Sequence, residues 1–237
     1  MNYFLHFGRT EKCEKIEIRL NEKRVEVVKE FDYLGSKFES NGKLTKELEK
    51  RASRGRSVMG TIGRIARNRK LTKNMRLAVH NGILVPTLMY GSEAWTVNEC
   101  ELSKVCTVEM AYLRAMAGKT LNDRVRNDWV MNECGIKENM RMKVQKSTMR
   151  WFGHLERMDD ERLTKKVYKG NVRGKRGRGR PRKEWLDQIG EIAKEWNLQS
   201  ENKRRVCMKK VMNIEEMKVV CKDRKKWRRI CGGTGHP

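Results

Sequence analysis

Two different periods of apolar residues divide the chain. Between residues 16 and 38 apolar and polar residues alternate, with apolar positions at Ile16, Ile18, Leu20, Val25 and Val27. Alternation is typical of strands with one buried face, and the polar stretch LNEK between the two runs favours a turn. The pattern predicts a β-hairpin. Gly35 and the Ser-Asn-Gly at 40–42 mark its end.

From Lys43 onward, apolar residues recur every three or four positions, which is the period of an amphipathic helix. The first apolar face contains Leu44, Leu48, Ala52, Gly55, Met59, Ile62 and Ala66. Thr72 can cap a second helix that ends before Pro86, and Asn98 with Glu101 forms the pattern of a capping box. Further helices are expected around Trp129 and Val130, from Met140 to Met158, from Trp185 to Trp196, and within 201–230.

These patterns predict a mainly α fold with an N-terminal β-hairpin, a helical bundle and a basic C-terminal helical tail. The expected segments are a β-hairpin region (1–42), a helical bundle (43–168), a basic linker rich in glycine and arginine (169–183) and a basic helical tail (184–237). The longest mostly apolar run, 82–90, is too short to span a bilayer, so no membrane segment is expected. The seven cysteines are scattered, as in an intracellular protein with reduced thiols.

The chain is strongly basic, with a formal net charge of +25. Residues 1–50 contain 11 basic and 10 acidic side chains, so nearly all of the excess lies after them. Such a charge indicates a polyanionic partner, most commonly the phosphate backbone of RNA or DNA. On the 43–69 helix we single out Arg54, Arg64 and Arg67, on the face that also holds Lys46 and Lys50, as candidate contacts. The alternative is an ordinary solvated helix surface.

A second basic stretch runs from Arg173 to Lys183, where seven of eleven residues are basic and none is acidic. Its candidate nucleic-acid contacts are Lys175, Arg176, Arg178, Arg180, Arg182 and Lys183. The core Arg-Gly-Arg-Pro resembles an AT-hook, which lies in the minor groove of A/T-rich DNA, but Gly177 replaces a usual proline. Three interpretations remain open: a general nucleic-acid-contacting tether, an AT-hook-like element, and a nuclear-localisation signal or inert linker.

Five segments are informative as an ordered set. They are VVKEFDYLGSKFESNGKLTKELEKR (27–51), VPTLMYGSEAW (85–95), DRVRND (123–128), RWFGHLERMDDERL (150–163) and GKRGRGRPRKEWLD (174–187). In this order they resemble the C-terminal part of reverse transcriptases from non-LTR retrotransposons, of the Jockey-like or RTE-like kind. Each motif alone is weak, whereas five in order are fairly specific.

The resemblance implies the region after the polymerase palm, with a thumb and a connecting region. It places Tyr33, Leu34 and Gly35 near the primer-grip position. The palm's paired catalytic aspartates are absent, so we expect no catalysis by this chain alone and no cofactor in it, since Mg²⁺ would belong to the missing palm. Expected partners are RNA or DNA and the missing polymerase domains, with no membrane and no small-molecule substrate. A nuclear location is expected.

Other chemistry is less favoured by the residue spacing. Asp159 and Asp160 lie in a polar context that favours helix capping and solvated charge over a nuclease metal site. The spacing of Cys207, Cys221, Cys231 and His236 departs from that of usual zinc sites, so no metal ligand is assigned. His154, between Trp151 and Leu155, is interpreted as structural. A chain without a cellular function is a third alternative, beside the polymerase fragment and the AT-hook-like protein.

Overall fold

A computed structural model describes residues 3–5, 19–20, 23–170, 183–198 and 211–232. The contacts divide the chain into two compact units. The first comprises residues 1–91 and 97–141, and the second comprises residues 92–96 and 142–237. Within the described ranges, none of the helices combines the length and the apolar run that crossing a membrane requires.

The N-terminal part contains short paired strands, as predicted. Strand β1 (Tyr3–Leu5) pairs in parallel with β4 (Glu26–Val28), and β2 (Arg19–Leu20) pairs antiparallel with β3 (Lys23–Arg24). A second hairpin joins β5 (Glu30–Tyr33) to β6 (Ser36–Glu39). Its turn is Leu34–Gly35, where the sequence pattern predicted the end of the β structure. Both turn residues have positive φ, which suits the right-handed twist of a two-residue hairpin.

Ten α-helices lie in the described ranges, so the mainly α prediction is confirmed. The helices are α1 (Thr45–Arg67), α2 (Lys73–Val79), α3 (Val85–Met89), α4 (Glu99–Ala117), α5 (Asn127–Cys134), α6 (Met140–Arg157), α7 (Leu163–Lys169), α8 (Trp185–Glu195), α9 (Ile214–Lys222) and α10 (Arg224–Ile230). Two predicted N-termini are also confirmed. The Thr72 hydroxyl accepts a hydrogen bond from the amide of Met75, and Asn98 forms a complete capping box with Glu101.

The second helix, α2, ends at Val79 and thus before Pro86, as predicted, but the helical path does not stop there. The helical path continues from α2 through a π-helical turn, His80–Leu84, into α3. In a regular α-helix the ring of Pro86 would collide with the carbonyl group four residues earlier. The wider turn precedes the proline, and Pro86 lies in the first turn of α3, where a missing N–H costs little.

Helix α7 was not predicted because its polarity is inverted. Leu163 and Val167 are exposed, whereas Lys165 has only 2% of its surface exposed. The Lys165 ammonium donates a hydrogen bond of 2.6 Å to the carbonyl of Leu155 and lies 3.4 Å from the Glu156 carboxylate. Because the buried position of α7 is a paired lysine and its apolar residues are exposed, the sequence shows no amphipathic period there.

In the first unit, α1 packs against α3 and α4 at a very short distance. The predicted apolar face of α1 is confirmed, since Leu48, Ala52, Gly55, Ile62 and Ala66 are buried. A Cβ atom placed on Gly55 would lie 2.5 Å from a methyl carbon of Leu88 and 3.0 Å from one of Val108. Glycine therefore allows the close approach of the three helices.

Arg76 from α2 joins the carboxyl ends of two helices in the same unit. Its guanidinium donates to the carbonyl of Ala66 in α1 at 3.2 Å and to that of Met116 in α4 at 2.8 Å. The last carbonyls of a helix have no partner inside the helix and carry partial negative charge, so a cation there is stabilising.

The second unit has its own core, formed by α6, α8, α9 and α10. Trp227 of α10 lies over Gly153, and its indole N–H donates to the carbonyl of Met149 at 3.0 Å. A Cβ atom on Gly153 would be 2.2 Å from the indole nitrogen, so only glycine fits under the ring. The segment 92–96 joins this unit through hydrogen bonds from Trp185 to the carbonyl of Glu93 and from Gln188 to that of Trp95.

Two glycine-to-alanine variants of α1 test the packing of the first unit. Gly60 is exposed with no atom near its Cβ direction, so Gly60→Ala should stabilise the protein by up to about 1 kcal/mol through helix propensity. Gly55→Ala gains the same propensity but overpacks the contact with Leu88 and Val108. We expect Gly55→Ala to be less stable than Gly60→Ala by about 1–3 kcal/mol in urea unfolding followed by circular dichroism. Equal stability of the two variants would contradict the close packing.

Candidate nucleic-acid interface

The β5–β6 hairpin is attached to α1 by a buried ion pair. The Arg51 side chain is 3% exposed and that of Glu47 is 2% exposed, and Arg51 Nε donates to Glu47 Oε1 at 2.6 Å. The other carboxylate oxygen of Glu47 accepts the backbone N–H of Lys37 in β6, also at 2.6 Å. Glu47 therefore joins the helix to the strand, and Arg51 neutralises its charge.

Arg51 also holds the turn of the hairpin. Its Nη2 donates to the carbonyl of Gly35 at 2.9 Å, and its guanidinium carbon lies 4.7 Å from the centre of the Tyr90 ring. The Tyr90 hydroxyl in turn donates to the carbonyl of Leu34 at 2.8 Å. We call Glu47, Arg51 and Tyr90 the turn clamp, because Arg51 and Tyr90 bind the two carbonyl groups of the Leu34–Gly35 turn and Glu47 holds Arg51 and β6.

The turn clamp fixes the backbone and leaves the side chains of the turn in solvent. Leu34 is 74% exposed and Tyr33 is 58% exposed. Leu34 has a φ of 47°, a left-handed conformation that is costly for a branched side chain.

The structure brings two of the predicted sites together. Arg54 is exposed, and its Nη1 lies 3.4 Å from the carbonyl of Gly35, the same oxygen that Arg51 binds. Tyr33, Leu34 and Gly35 therefore adjoin the first of the three candidate arginines of α1. Arg64 and Arg67 lie farther along the helix, about 15 and 20 Å from Arg54 by helix rise.

The basic face of α1 divides into two parts. Lys46 and Lys50 form ion pairs with Glu30 and Asp32 of β5. The hydrogen bond from Lys50 holds the pKa of Asp32 below its ordinary value. In the described part of the chain, Arg64 and Arg67 have no carboxylate within ion-pair distance, and both are exposed. Among the described residues, the cations of this face without an ion pair thus begin at Arg54 and continue to the carboxyl end of the helix.

The other predicted contacts belong to the second unit or lie outside the described residues. Lys183 is exposed just before α8 and forms an ion pair with Glu191. Lys175, Arg176, Arg178, Arg180 and Arg182 lie outside the described residues, and so does the AT-hook-like core.

The residues considered for other chemistry have ordinary surroundings. Asp160 pairs with Lys169 at 2.7 Å, and Asp159 accepts the amide of Glu161. Cys221 and Cys231 are buried in the core of the second unit, and burial raises the pKa of the Cys231 thiol to about 11. His154 is exposed, 5.2 Å from the Trp151 ring. Cys207 and His236 lie outside the described residues.

Comparison with known proteins gives one informative similarity. The chain is similar to an uncharacterized transposon-derived protein of Caenorhabditis elegans. The two are 28% identical over 141 residues, which are 58% of this chain and 50% of the relative. The chain therefore spans about half the length of the curated relative it matches. No family model and no solved structure matches the chain. The similarity supports a transposable-element origin.

Sequence reasoning missed the turn clamp. In the sequence Arg51 belongs to neither the apolar nor the basic face of α1. The Glu47–Arg51 spacing is nevertheless that of a helical ion pair. That spacing is common on solvated surfaces, and burial is a tertiary property. Tyr90 gave no signal of its own, because its contacts with the turn cross more than fifty residues of chain.

Substitution of Arg51 tests the clamp. Arg51→Ala leaves the buried Glu47 carboxylate without its cation, so we expect the unfolding free energy to fall by about 3–5 kcal/mol. Arg51→Lys keeps the charge but not the forked donors, and it should lie between Arg51→Ala and the wild type. The control is the exposed Arg54→Ala, expected within about 0.5 kcal/mol of the wild type.

The measurement is urea unfolding combined with hydrogen exchange of the amides from Glu30 to Glu39. Faster exchange of the hairpin in Arg51→Ala than in Arg54→Ala is expected. If both variants exchange alike, the hairpin is not held by the buried pair.

Proposed function

We propose that this chain is a fragment of a retrotransposon-type RNA-directed DNA polymerase that lacks the palm active site and binds RNA and DNA non-specifically through a basic surface. Two observations support the polymerase origin. Five ordered segments resemble the post-palm region of non-LTR reverse transcriptases, and the chain is similar to a transposon-derived protein over 141 residues. In this proposal the chain contacts nucleic acid and performs no chemistry by itself.

The observation that carries the binding proposal is the clamped Leu34–Gly35 turn beside Arg54. A hairpin tip with exposed Tyr33 and Leu34 is suited to packing against sugar or base surfaces. Arg54 is near enough to the turn to contact the adjacent phosphate. Because the backbone of the turn is held by Arg51 and Tyr90, contact with a strand requires little further ordering. The resemblance assigns the same turn to the primer-grip position.

The remaining part of the interface is the second half of α1. Arg64 and Arg67 are exposed there, and no acidic residue occurs in the sequence from Arg51 to Ser92. Phosphates along a duplex would meet a continuous positive potential on this side of the helix. Lys46 and Lys50 are already paired with acids of the hairpin. The nucleic acid would therefore contact the hairpin tip and the second half of α1.

The role of the chain in a polymerase would be to hold the primer–template. Nucleotidyl transfer, its paired aspartates and its Mg²⁺ ions belong to the palm, which we propose as a partner of this region together with RNA and DNA. A nuclear location would follow from this role. A polymerase assay of the chain alone should show no primer extension.

The second candidate is an AT-hook-like DNA-binding or interaction protein. The sequence Arg178-Gly179-Arg180-Pro181 favours it, because glycine permits close approach to the groove floor and proline extends the preceding residue. A hook discriminates A/T-rich from G/C-rich duplexes, whereas backbone contacts do not. An A/T preference that disappears in Arg178→Ala/Arg180→Ala would favour the hook.

A salt series tests the proposed interface. We expect fluorescence anisotropy to show binding to a primer–template duplex at micromolar or lower concentration, weakening steeply as salt rises. In Arg54→Ala/Arg64→Ala/Arg67→Ala, the slope of log affinity against log salt should decrease by about 1 for each phosphate that the variant no longer neutralises.

The matched control removes three other exposed cations, in Lys104→Ala/Lys166→Ala/Lys169→Ala. Each of these lysines is engaged in an ion pair, with Glu49, Glu161 and Asp160 respectively. The control has the same formal charge as the test variant and should keep a slope close to that of the wild type. Absence of binding at low salt would refute the proposed function, and equal slopes for the two triple variants would refute the assignment to α1.

A further inference from the structure

An exposed tryptophan of the first unit is not among the candidate nucleic-acid contacts named above. Trp129 is in the first turn of α5 and 44% of its surface is exposed, whereas its neighbour Val130 is fully buried. Helix α5 is therefore anchored by one side chain and presents the other to solvent. A single exposed aromatic residue is ordinary in a soluble protein, so a role for Trp129 has to be argued from the residues around it.

Two cations lie at the carboxyl end of α4, and one of them is near this ring. The Lys119 ammonium is 5.9 Å from the centre of the Trp129 ring, within the range of a cation–π contact. The Arg69 guanidinium lies over Gly118, because a Cβ atom there would be 3.2 Å from Arg69 Nη2. Within the described ranges, neither cation has a carboxylate at ion-pair distance. Neither charge is neutralised by an ion pair there, although that of Lys119 also helps to lower the pKa of the Asp123 carboxyl.

The loop that joins α4 to α5 adds to this arrangement. Asp123 is occupied within the loop, since its carboxylate accepts the amide and the hydroxyl of Thr120 at 2.6 and 2.8 Å, which holds its pKa below the ordinary value. Arg124 is exposed and has a φ of 49°, a conformation that non-glycine residues seldom adopt.

The loop is fixed to α4 rather than suspended in solvent. Arg114 of α4 donates to the carbonyl of Val125 at 3.3 Å and to the side-chain oxygen of Asn127 at 2.6 Å. The segment between Arg124 and Trp129 is therefore held against α4 at Val125 and Asn127. Leu121 extends an apolar side chain from the same loop.

We propose that Trp129 is a stacking platform for a base of single-stranded nucleic acid, with Lys119, Arg124 and Arg69 contacting the flanking phosphates. An indole face combined with cations is the arrangement that single strands bind without sequence preference, because every base has a π face and every linkage a phosphate. The internal bases of a duplex cannot use the platform, because they are already stacked and paired. The inference rests on the proposed nucleic-acid binding and adds a strand-type preference to it.

The test compares three probes, each about 15 nucleotides long: a labelled oligothymidine, the same strand with an internal run of abasic sites, and a duplex. Trp129→Ala should weaken anisotropy-measured binding of the intact single strand by about fivefold to 100-fold, the effect of removing one stacked aromatic ring. Binding of the duplex and of the abasic strand should change by less than about twofold. Trp129→Phe keeps an aromatic face and should retain most of the single-strand affinity.

Several results would overturn the proposal. If the wild type binds single strands and Trp129→Ala binds them equally well, the platform is refuted while the proposed function stands. If Trp129→Phe binds as weakly as Trp129→Ala, or if the abasic strand binds the wild type as tightly as the intact strand, stacking is refuted. If the wild type binds neither strand nor duplex at low salt, the proposed function fails as well. Circular dichroism melting should show that Trp129→Ala keeps the fold, since the ring is largely outside the core.

Discussion

The buried pair between Arg51 and Glu47 is the constraint on which the candidate interface depends. A carboxylate and a guanidinium with almost no solvent contact are tolerated only when their remaining donors and acceptors are satisfied. Here they are satisfied by the hairpin, through the amide of Lys37 and the carbonyl of Gly35. Folding of α1 onto its apolar partners therefore requires the hairpin in one position. The geometry of the exposed hairpin tip is thus fixed by the hydrogen bonds that the buried charge pair makes to the hairpin.

The distribution of charge follows from the same hairpin. Its acids, Glu30 and Asp32, neutralise the lysines in the first two turns of α1. A net charge of +25 thus does not spread evenly over the surface. In the described part of the first unit, exposed cations without an ion pair occur in α1 from Arg54 onward, in the segment after it and in the loop before α5. In the second unit, exposed cations of α10 lie on the face opposite the buried Trp227.

The sequence predicted most helices because they are amphipathic and have local caps. The period of α1 and the caps at Thr72 and Asn98 depend on neighbours within one or two turns, so one chain suffices to find them. Other features depend on distant residues. The burial of Arg51 requires a hairpin and Tyr90, α7 buries a lysine, and Leu34 adopts a glycine-like turn conformation. Residues of the candidate site could therefore be predicted one by one, whereas their arrangement in space could not.

The π-helical turn at His80–Leu84 has a consequence for comparing related chains. Such a turn holds about one residue more than an α-helical turn. A relative that lacks the bulge would present the same faces of α2 and α3 with one residue fewer between Arg76 and Pro86. A gap at this place in an alignment would mark one extra residue in this chain, which the π-helical turn accommodates. The residues on either side would remain equivalent, and their contacts would be the ones to compare.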